Sequence, residues 1–410
     1  MNWIQRQLAK LAGAPGPLED FWYKPVGGKS SISAMATPSG SLALSVVDAC
    51  ISLIADSIAQ LPCKVYEQLP SGDRRVAVEH PAYKLLHDQT SPEYTAPEFW
   101  NREVRDVLTW GNAYAEQVLD SRGNVIRMTP LRPQYMKVIW DKAKSAKAFK
   151  YEEPGNAQIF NESQIIQFPG RDYDGFVGYS PVETHRRAVE LTAAAQEYGA
   201  LFFENNATAP HYYSFPSTLN VDARKRLEEY IEKTHGGIAN QHKPGILEGG
   251  GKVESVNINH RDIQFLELRK FQTEEICRIF KVPPHMVGDV DRSTSWGSGI
   301  EQQQIAFIQF TLGWWIRMLE SRVAMSVLGP VERNRFFAEF SVDAFLRGDS
   351  ASRAESTAKR INSGQLTPNE ARRLENLPRV EGGDELLING TMVPISQAGK
   401  PQQGVPSAAN

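Results

Sequence analysis

Between two long apolar-striped segments the chain carries GDVDRSTSWGSG, residues 288–299, a stretch with no apolar run of its own. The flanking segments are 261–282 (RDIQFLELRKFQTEEICRIFKV) and 298–328 (SGIEQQQIAFIQFTLGWWIRMLESRVAMSVL), and both have helical periodicity. Pro283 and Pro284 close the first, because proline lacks a backbone donor and clashes with the preceding turn. Ser298, with Glu301 three residues on, has the capping-box form that opens the second. A polar loop on so rigid a support serves function more readily than packing. It contains no catalytic set, and the combination points to a mechanical role.

The second helix places apolar residues at 305, 308, 312, 315, 316, 319, 323 and 327, which predicts the buried face. Gly313 inside it costs about 1 kcal/mol relative to alanine and is a candidate kink. Trp314 and Trp315 read as buried anchors. Trp296 differs: a lone aromatic in a polar loop needs a partner, either a neighbouring subunit or a passing ligand.

At 410 residues the chain has room for roughly two to four domains, or one elongated multi-part subunit. A charged fraction of 23% beside 41% hydrophobic residues is that of a folded soluble protein. The net charge of −3 excludes a global basic field of the kind that binds nucleic acid tightly. Cys50, Cys63 and Cys277 lie far apart, which fits a reducing cytoplasm better than a disulfide framework. The N-terminus lacks the apolar core of a signal peptide. The stretch Ile305 to Leu319 is broken by Gln309, Thr311 and Arg317, against a membrane span.

Residues 1–40 and 395–410 are rich in Gly, Pro, Ser or Gln and are expected to be flexible. Ser41 to Leu61 carries a helical stripe closed by Pro62, and the strand CKVYEQ follows. Thr95 and Glu98 form a capping box opening a helix over 96–110. A β-rich block comes next: NAYAEQVL, VIRMTPL, YMKVIW, KAFKYEE, AQIFN and QIIQF. Ser180 as N-cap, Pro181 at the first turn and Glu183 then open a long helix over 181–206. Residues 207–260 change character, with the strand HYYSF, a charged helix over 221–235, and the turn-rich GILEG and GKVESVNI. Lying between two long helices, this block forms a small α/β knob on a two-helix stalk about 30–40 Å long. The strand RFFAEFSV and two final helices complete the chain, the last opened by Thr367, Pro368 and Glu370.

Familiar chemistry is mostly missing. GILEGGGKVES is no phosphate loop, since Ile246 and Val253 stand where glycine and a hydroxyl residue are needed. The eight histidines include no HExxH, and no metal site is expected. GYSPV lacks the second glycine of a nucleophile elbow. Asp289 and Asp291 with Arg292 lack the alternating ligands of a calcium loop and read as solvated. Helix 221–235 mixes Arg224, Lys225, Arg226 and Lys233 with Asp222, Glu228, Glu229 and Glu232, a solvated face rather than a phosphate strip. Tyr212, Tyr213 and Phe215, without interleaved cations, fit a core or a protein interface.

An ordered set of segments carries a resemblance: SVVDACISLIADSIAQLPCKVY, HPAYKLL, VLTWGNAYAEQV with RGNVIRMTPLRP, and IIQF with DGFVGYSPVE. Downstream follow FFENNATAP, QFLELRKFQTEEICRIFKVPPHMVGD, STSWGSGIEQQQIAF and GQLTPNEARRLENLP. Over residues 41–390 the chain resembles the portal proteins of tailed bacteriophages, in the compact form of long-tailed phages. The resemblance implies an α+β subunit of a ring, usually twelvefold, at one capsid vertex, passing double-stranded DNA in and out. It implies a β-rich wing at 41–180, stem helices at 181–206 and 261–282, and a clip at 207–260. A second wing part spans 283–348, with a long helix at 298–328, and a crown spans 349–394. The tunnel loop corresponds to 288–299, making Asp289, Asp291, Arg292, Ser293, Thr294, Ser295 and Trp296 the DNA-facing candidates. Arg224, Lys225, Glu228, Glu229, Lys233 and His235 are the clip candidates for contacts with the terminase large subunit or the head–tail adaptor. Capsid or scaffold protein is a further implied partner, and location in the virion follows, after synthesis in the host cytoplasm. No cofactor and no enzymatic activity are implied. Competing readings are another head–tail connector ring and a metal-dependent nucleic-acid enzyme using Asp172 and Asp174 of RDYDGF.

Overall fold

The alternation and capping signals translate directly into elements in the computed structural model. It describes residues 31–142, 145–204, 211–214, 221–222, 225–226, 229–230, 252–255, 259–288, 298–342, 350–375 and 377–387. In chain order these include α1 Ser31–Met35, α2 Pro38–Ser41, α3 Ser45–Ala59, β1 Cys63–Gln68, β2 Arg74–Val76, α4 Pro81–His87, β3 Gln89–Ser91 and β4 Tyr94–Thr95. Then come α5 Ala96–Trp110, β5 Asn112–Leu119, β6 Val125–Leu131, β7 Met136–Asp141, β8 Ala146–Glu153, β9 Asn156–Asn161 and β10 Ile165–Pro169. The second half holds α6 Pro181–Thr184, α7 Arg186–Glu204, β11 His211–Ser214, β12 Lys252–Ser255, α8 Asn259–Phe280, α9 Ser298–Ala306 and α10 Gly313–Ser326. Strand β13 Phe336–Phe340 and helices α11 Ser350–Asn362 and α12 Pro368–Leu374 follow.

The chain divides into two units, Met1–Ser341 and Val342–Asn410. The sheets of the first are small and antiparallel, ordered β13-β1-β2, β10-β5-β6 and β7-β8-β9, with the pairs β3-β4 and β11-β12. Its core forms where α3, α5, the end of α8 and α10 turn their apolar stripes inward: Ile51, Ile54, Phe99, Trp100, Val104, Ile276 and Leu319 are all buried. Trp100 is central. It meets Phe99, Phe168 and Phe340 edge-on and donates its indole N–H to the Leu86 carbonyl at 3.2 Å. A second cluster (Tyr114, Met136, Phe149, Tyr151, Phe160, Ile165) is built from β5 and β7 to β10. In the second unit Thr367 and Glu370 close the expected capping box, and the Asn369 side chain ties down the Val380 backbone at 2.8 and 2.9 Å.

Four expectations need correction. The N-terminal segment is not flexible up to residue 40: α1 and α2 are formed, Thr37 caps α2, and Ala36, Pro38 and Ser41 are buried. The helix expected over 181–206 is interrupted at His185, at φ −105° and ψ 30°. There the Thr184 hydroxyl donates back to the Ser180 carbonyl at 2.8 Å, a competition that bends helices. The long helix at 298–328 is interrupted as well, by a π turn over Phe307–Leu312 that ends at Gly313. The extra residue of that turn moves the buried face. Phe307 and Thr311 are buried where 305 and 308 were expected, Ile305 is exposed, and of the two tryptophans only Trp315 is buried.

Candidate functional site

The loop candidates Asp289, Asp291, Arg292, Ser293, Thr294, Ser295 and Trp296 lie outside the described residues, as do Arg224, Glu228, Lys233 and His235. Lys225 and Glu229 are exposed helical residues. The elements before and after residues 289–297 are the end of α8 with its following turn and the interrupted helix of α9 and α10.

The first of these is the end of α8. Lys281 takes a left-handed conformation, φ +59°. The Val282 N–H then reaches the Cys277 carbonyl at 2.8 Å and the Lys281 N–H reaches that of Arg278 at 3.2 Å. This double bond pattern satisfies carbonyls that a helix end otherwise leaves open. Pro283 turns the chain into a short 3-10 turn, Pro284–Val287, which stops at Gly288. The second is interrupted by the π turn. Its buried Thr311 donates its hydroxyl to the Lys281 carbonyl at 2.5 Å, so the two elements are fastened to each other. Behind them, Cys277 of α8 meets Cys50 of α3 with sulfurs 3.9 Å apart, both fully buried.

A third element braces α10. The loop after β10 places the Arg171 guanidinium 4.7 Å from the Trp314 ring centre and 5.4 Å from that of Trp315. Burial pulls the Arg171 side chain below its usual value while Asp172 opposes this. Tyr173 of the same loop lies under both Arg322 and Lys147, at 4.9 and 5.4 Å. The loop returns through a close crossing of glycines. Gly111, at φ +76°, ends α5, and its carbonyl accepts the Gly170 N–H at 2.7 Å. A Cβ on Gly178 would stand 2.4 Å from the Gly170 nitrogen and 2.5 Å from the Gly111 oxygen. Asn112 locks the crossing, bonding the Gly178 backbone through both side-chain ends at 2.8 and 2.9 Å. Ser180 then donates to the Thr109 carbonyl at 2.6 Å while accepting from Glu183 at 3.3 Å.

These contacts also decide the carboxylates of RDYDGF. Asp174 spends one oxygen on the N–H groups of Phe176 and Val177, at 2.8 and 2.9 Å, so it shapes its own loop. Asp172 is exposed at φ +57°. Among the described residues no group of three or more His, Cys, Asp or Glu is placed to hold a metal. A cavity of about 70 Å³ between Leu108, Arg171, Tyr179, Phe280 and Trp315 has room for water rather than a substrate. Among the described residues no helix is long and apolar enough to cross a membrane. Sequence reasoning missed the Arg171 brace and the glycine crossing; the adjacent tryptophans and the glycines of TWGN and GFVGYSP were the available signals.

The family model described as phage portal protein matches residues 45–376. The portal protein of Enterobacteria phage HK97 is 34% identical over 362 residues, covering 87% of this chain and 84% of that one. The neck of a native gene transfer agent particle, solved with C12 symmetry, superposes with a TM-score of 0.56 at 21% identity, over 92% of this chain and 99% of that one. A portal protein of the HK97 family from Corynebacterium diphtheriae gives a TM-score of 0.57 at 14% identity, over 76% and 97%. The chain belongs to the phage portal protein family. That family is structural and non-enzymatic.

Proposed function

We propose that this chain is one subunit of a closed ring, twelvefold in number, at a single capsid vertex, through which double-stranded DNA enters and leaves the head. The observation that carries this is the arrangement around α7 and α8. Two long helices pack side by side and lead into the two-stranded β11–β12 pair, as a stem with a clip requires. The family membership and the twelvefold neck resembling this chain support the ring. In this scheme α7 and α8 are the stem, 207–260 the clip, α9 and α10 the long wing helix, and 349–394 the crown. The clip face carrying Lys225 and Glu229 docks the terminase motor and then the head–tail adaptor, while the wing meets capsid or scaffold protein.

Residues 288–299, repeated around a ring, form a collar facing DNA. Each phosphate contact by Lys or Arg adds salt-dependent affinity, so a collar that lets DNA slide carries few of them. One Arg292 against Asp289 and Asp291 meets that requirement. Energy for packaging comes from the docked motor. Electron microscopy of the purified protein tests the proposal: rings with an open centre are expected, and compact monomers at high concentration refute it. Submicromolar duplex binding at physiological salt would contradict the sliding collar.

A further inference from the structure

The face of the long helix turned away from its own core has the composition of a buried contact. From residue 302 to 325 the exposed positions hold four large apolar residues, Ile305, Phe310, Trp314 and Met325, and one charge, Arg317. The rest are amides and a hydroxyl. A helix face meant for water is mainly charged. On α8 the exposed run 267–271 reads Glu, Leu, Arg, Lys, Phe. Depletion of charge with enrichment of aromatics and methionine marks the centre of a protein interface. The face is about 35 Å long at 1.5 Å per residue.

The π turn widens it. In an unbroken helix Ile305 and Ile308 would share the buried stripe of 312, 315, 316 and 319, with Phe310 opposite. The inserted residue buries Phe307 and Thr311 instead and leaves Ile305 exposed on the same helix as Phe310, which is 68% exposed. Turns of this kind are rare and cluster at functional sites. A large aromatic held out from a rigid helix, flanked by Ile305 and Trp314, is the form an interface anchor takes.

We infer that this face, anchored by Phe310, is one half of the contact between adjacent copies of this chain. The inference rests on the ring proposed above. A closed ring with more than two members needs a heterologous contact, in which each subunit offers one surface to the neighbour on one side and a different surface to the other. A helical stripe with a single charge, running most of the length of the wing helix, is suited to be the first of these. In a closed ring a neighbouring subunit covers this face in every copy.

The test compares wild type, Phe310→Glu, and Ile159→Glu, which alters an equally exposed isoleucine on β9. Wild type and Ile159→Glu are expected to form rings by electron microscopy and light scattering, and Phe310→Glu only monomers or short arcs with an unchanged thermal melt. Phe310→Glu rings at the wild-type protein concentration overturn the inference and leave the ring proposal standing. Absence of rings in the wild type overturns the ring proposal itself. Phe310→Cys supplies a second measure independent of assembly yield. The native cysteines are buried, so a maleimide reports on position 310 alone. At least tenfold slower labelling in rings than in diluted subunits is expected, and equal rates overturn the inference.

Discussion

The hydroxyl of Thr311 donates to the carbonyl of Lys281 across 2.5 Å, closing the gap between the end of α8 and the π turn. The bond ties the last turn of α8 to the π turn, two elements 30 residues apart in sequence. Thr311→Val keeps the shape and removes the donor. It should lower stability by about 0.5–1.5 kcal/mol, the net worth of one hydrogen bond. Lys281→Gly should act in the opposite direction and gain up to about 1 kcal/mol, because the left-handed conformation strains any residue with a Cβ. Urea titrations of the two variants check the opposed signs; a Thr311→Val variant with unchanged stability would remove this bond from the account.

The crossing of Gly170 and Gly178 beside Gly111 predicts a sharp contrast between glycine positions. Gly178→Ala pushes a methyl group into the Gly111 carbonyl and the Gly170 nitrogen at 2.4–2.5 Å, and all of these atoms are backbone. Relief requires parting α5 from the loop that carries Arg171 and Ser180. A loss of about 3 kcal/mol or more is expected, at the upper end of overpacking costs. Gly313→Ala adds a methyl group 3.4 Å from the Ile308 carbonyl, within ordinary contact. It should gain up to about 1 kcal/mol from helix propensity. Thermal melts of both variants settle the comparison, and equal melting temperatures would contradict the crossing.

How much was legible follows from what each feature depends on. Thr95 with Glu98 and Thr367 with Glu370 lie three residues apart and could be read directly, as could the β-rich block that became β5 to β10. The π turn was not legible, because FIQFTL continues a helical pattern and only the bond to Lys281, distant in sequence, shows which residue is the extra one. Trp314 was misread as core for the same reason: its cover is Arg171, from a loop more than a hundred residues earlier. The ordering of α1 and α2 was hidden by composition, since small polar residues serve a tight cap as well as a loose tail. The loop candidates themselves lie outside the described residues, so their part in the site stays a proposal.

The three cysteines are predicted to be unreactive in the native protein. Cys50 and Cys277 share one buried contact, and the hydrogen bond with the Cys277 thiol, together with burial, pushes Cys50 far above the usual thiol range. Burial does the same to Cys63. Only the thiolate attacks, so a thiol-specific disulfide reagent should titrate none in the folded protein and all three in denaturant. Fast native titration of even one would place an opening motion between α3 and α8.

Glu103 makes stability depend on pH in a stated direction. Its carboxyl is fully buried on α5 with neither oxygen hydrogen-bonded among the described residues. Burial, reinforced by Asp106 and opposed by Arg102, pushes it well above the usual carboxylate range. Asp106 is itself pushed up to about 6 by burial, although Arg102 bonds it at 2.7 Å. Both acids therefore hold protons in the folded chain that the unfolded chain has released, so stability falls as pH rises from about 4.5 through 6 and beyond. Glu67 acts the other way. The Arg75 and Arg335 guanidinium groups hold it below its usual value, so its contribution is present above pH 4.5 and lost as pH falls through its folded value. The downward slope between pH 4.5 and 7.5 thus carries Glu103 and Asp106 together with Glu183 and Glu320, which burial also raises, and is opposed by His80, which burial lowers. Glu103→Met fills the same space without a charge to bury. It should flatten that slope and raise stability at pH 7.5 by about 1–3 kcal/mol, the desolvation cost removed. Urea midpoints across this range for wild type and Glu103→Met measure the effect, and parallel curves would show that Glu103 gains no protons on folding.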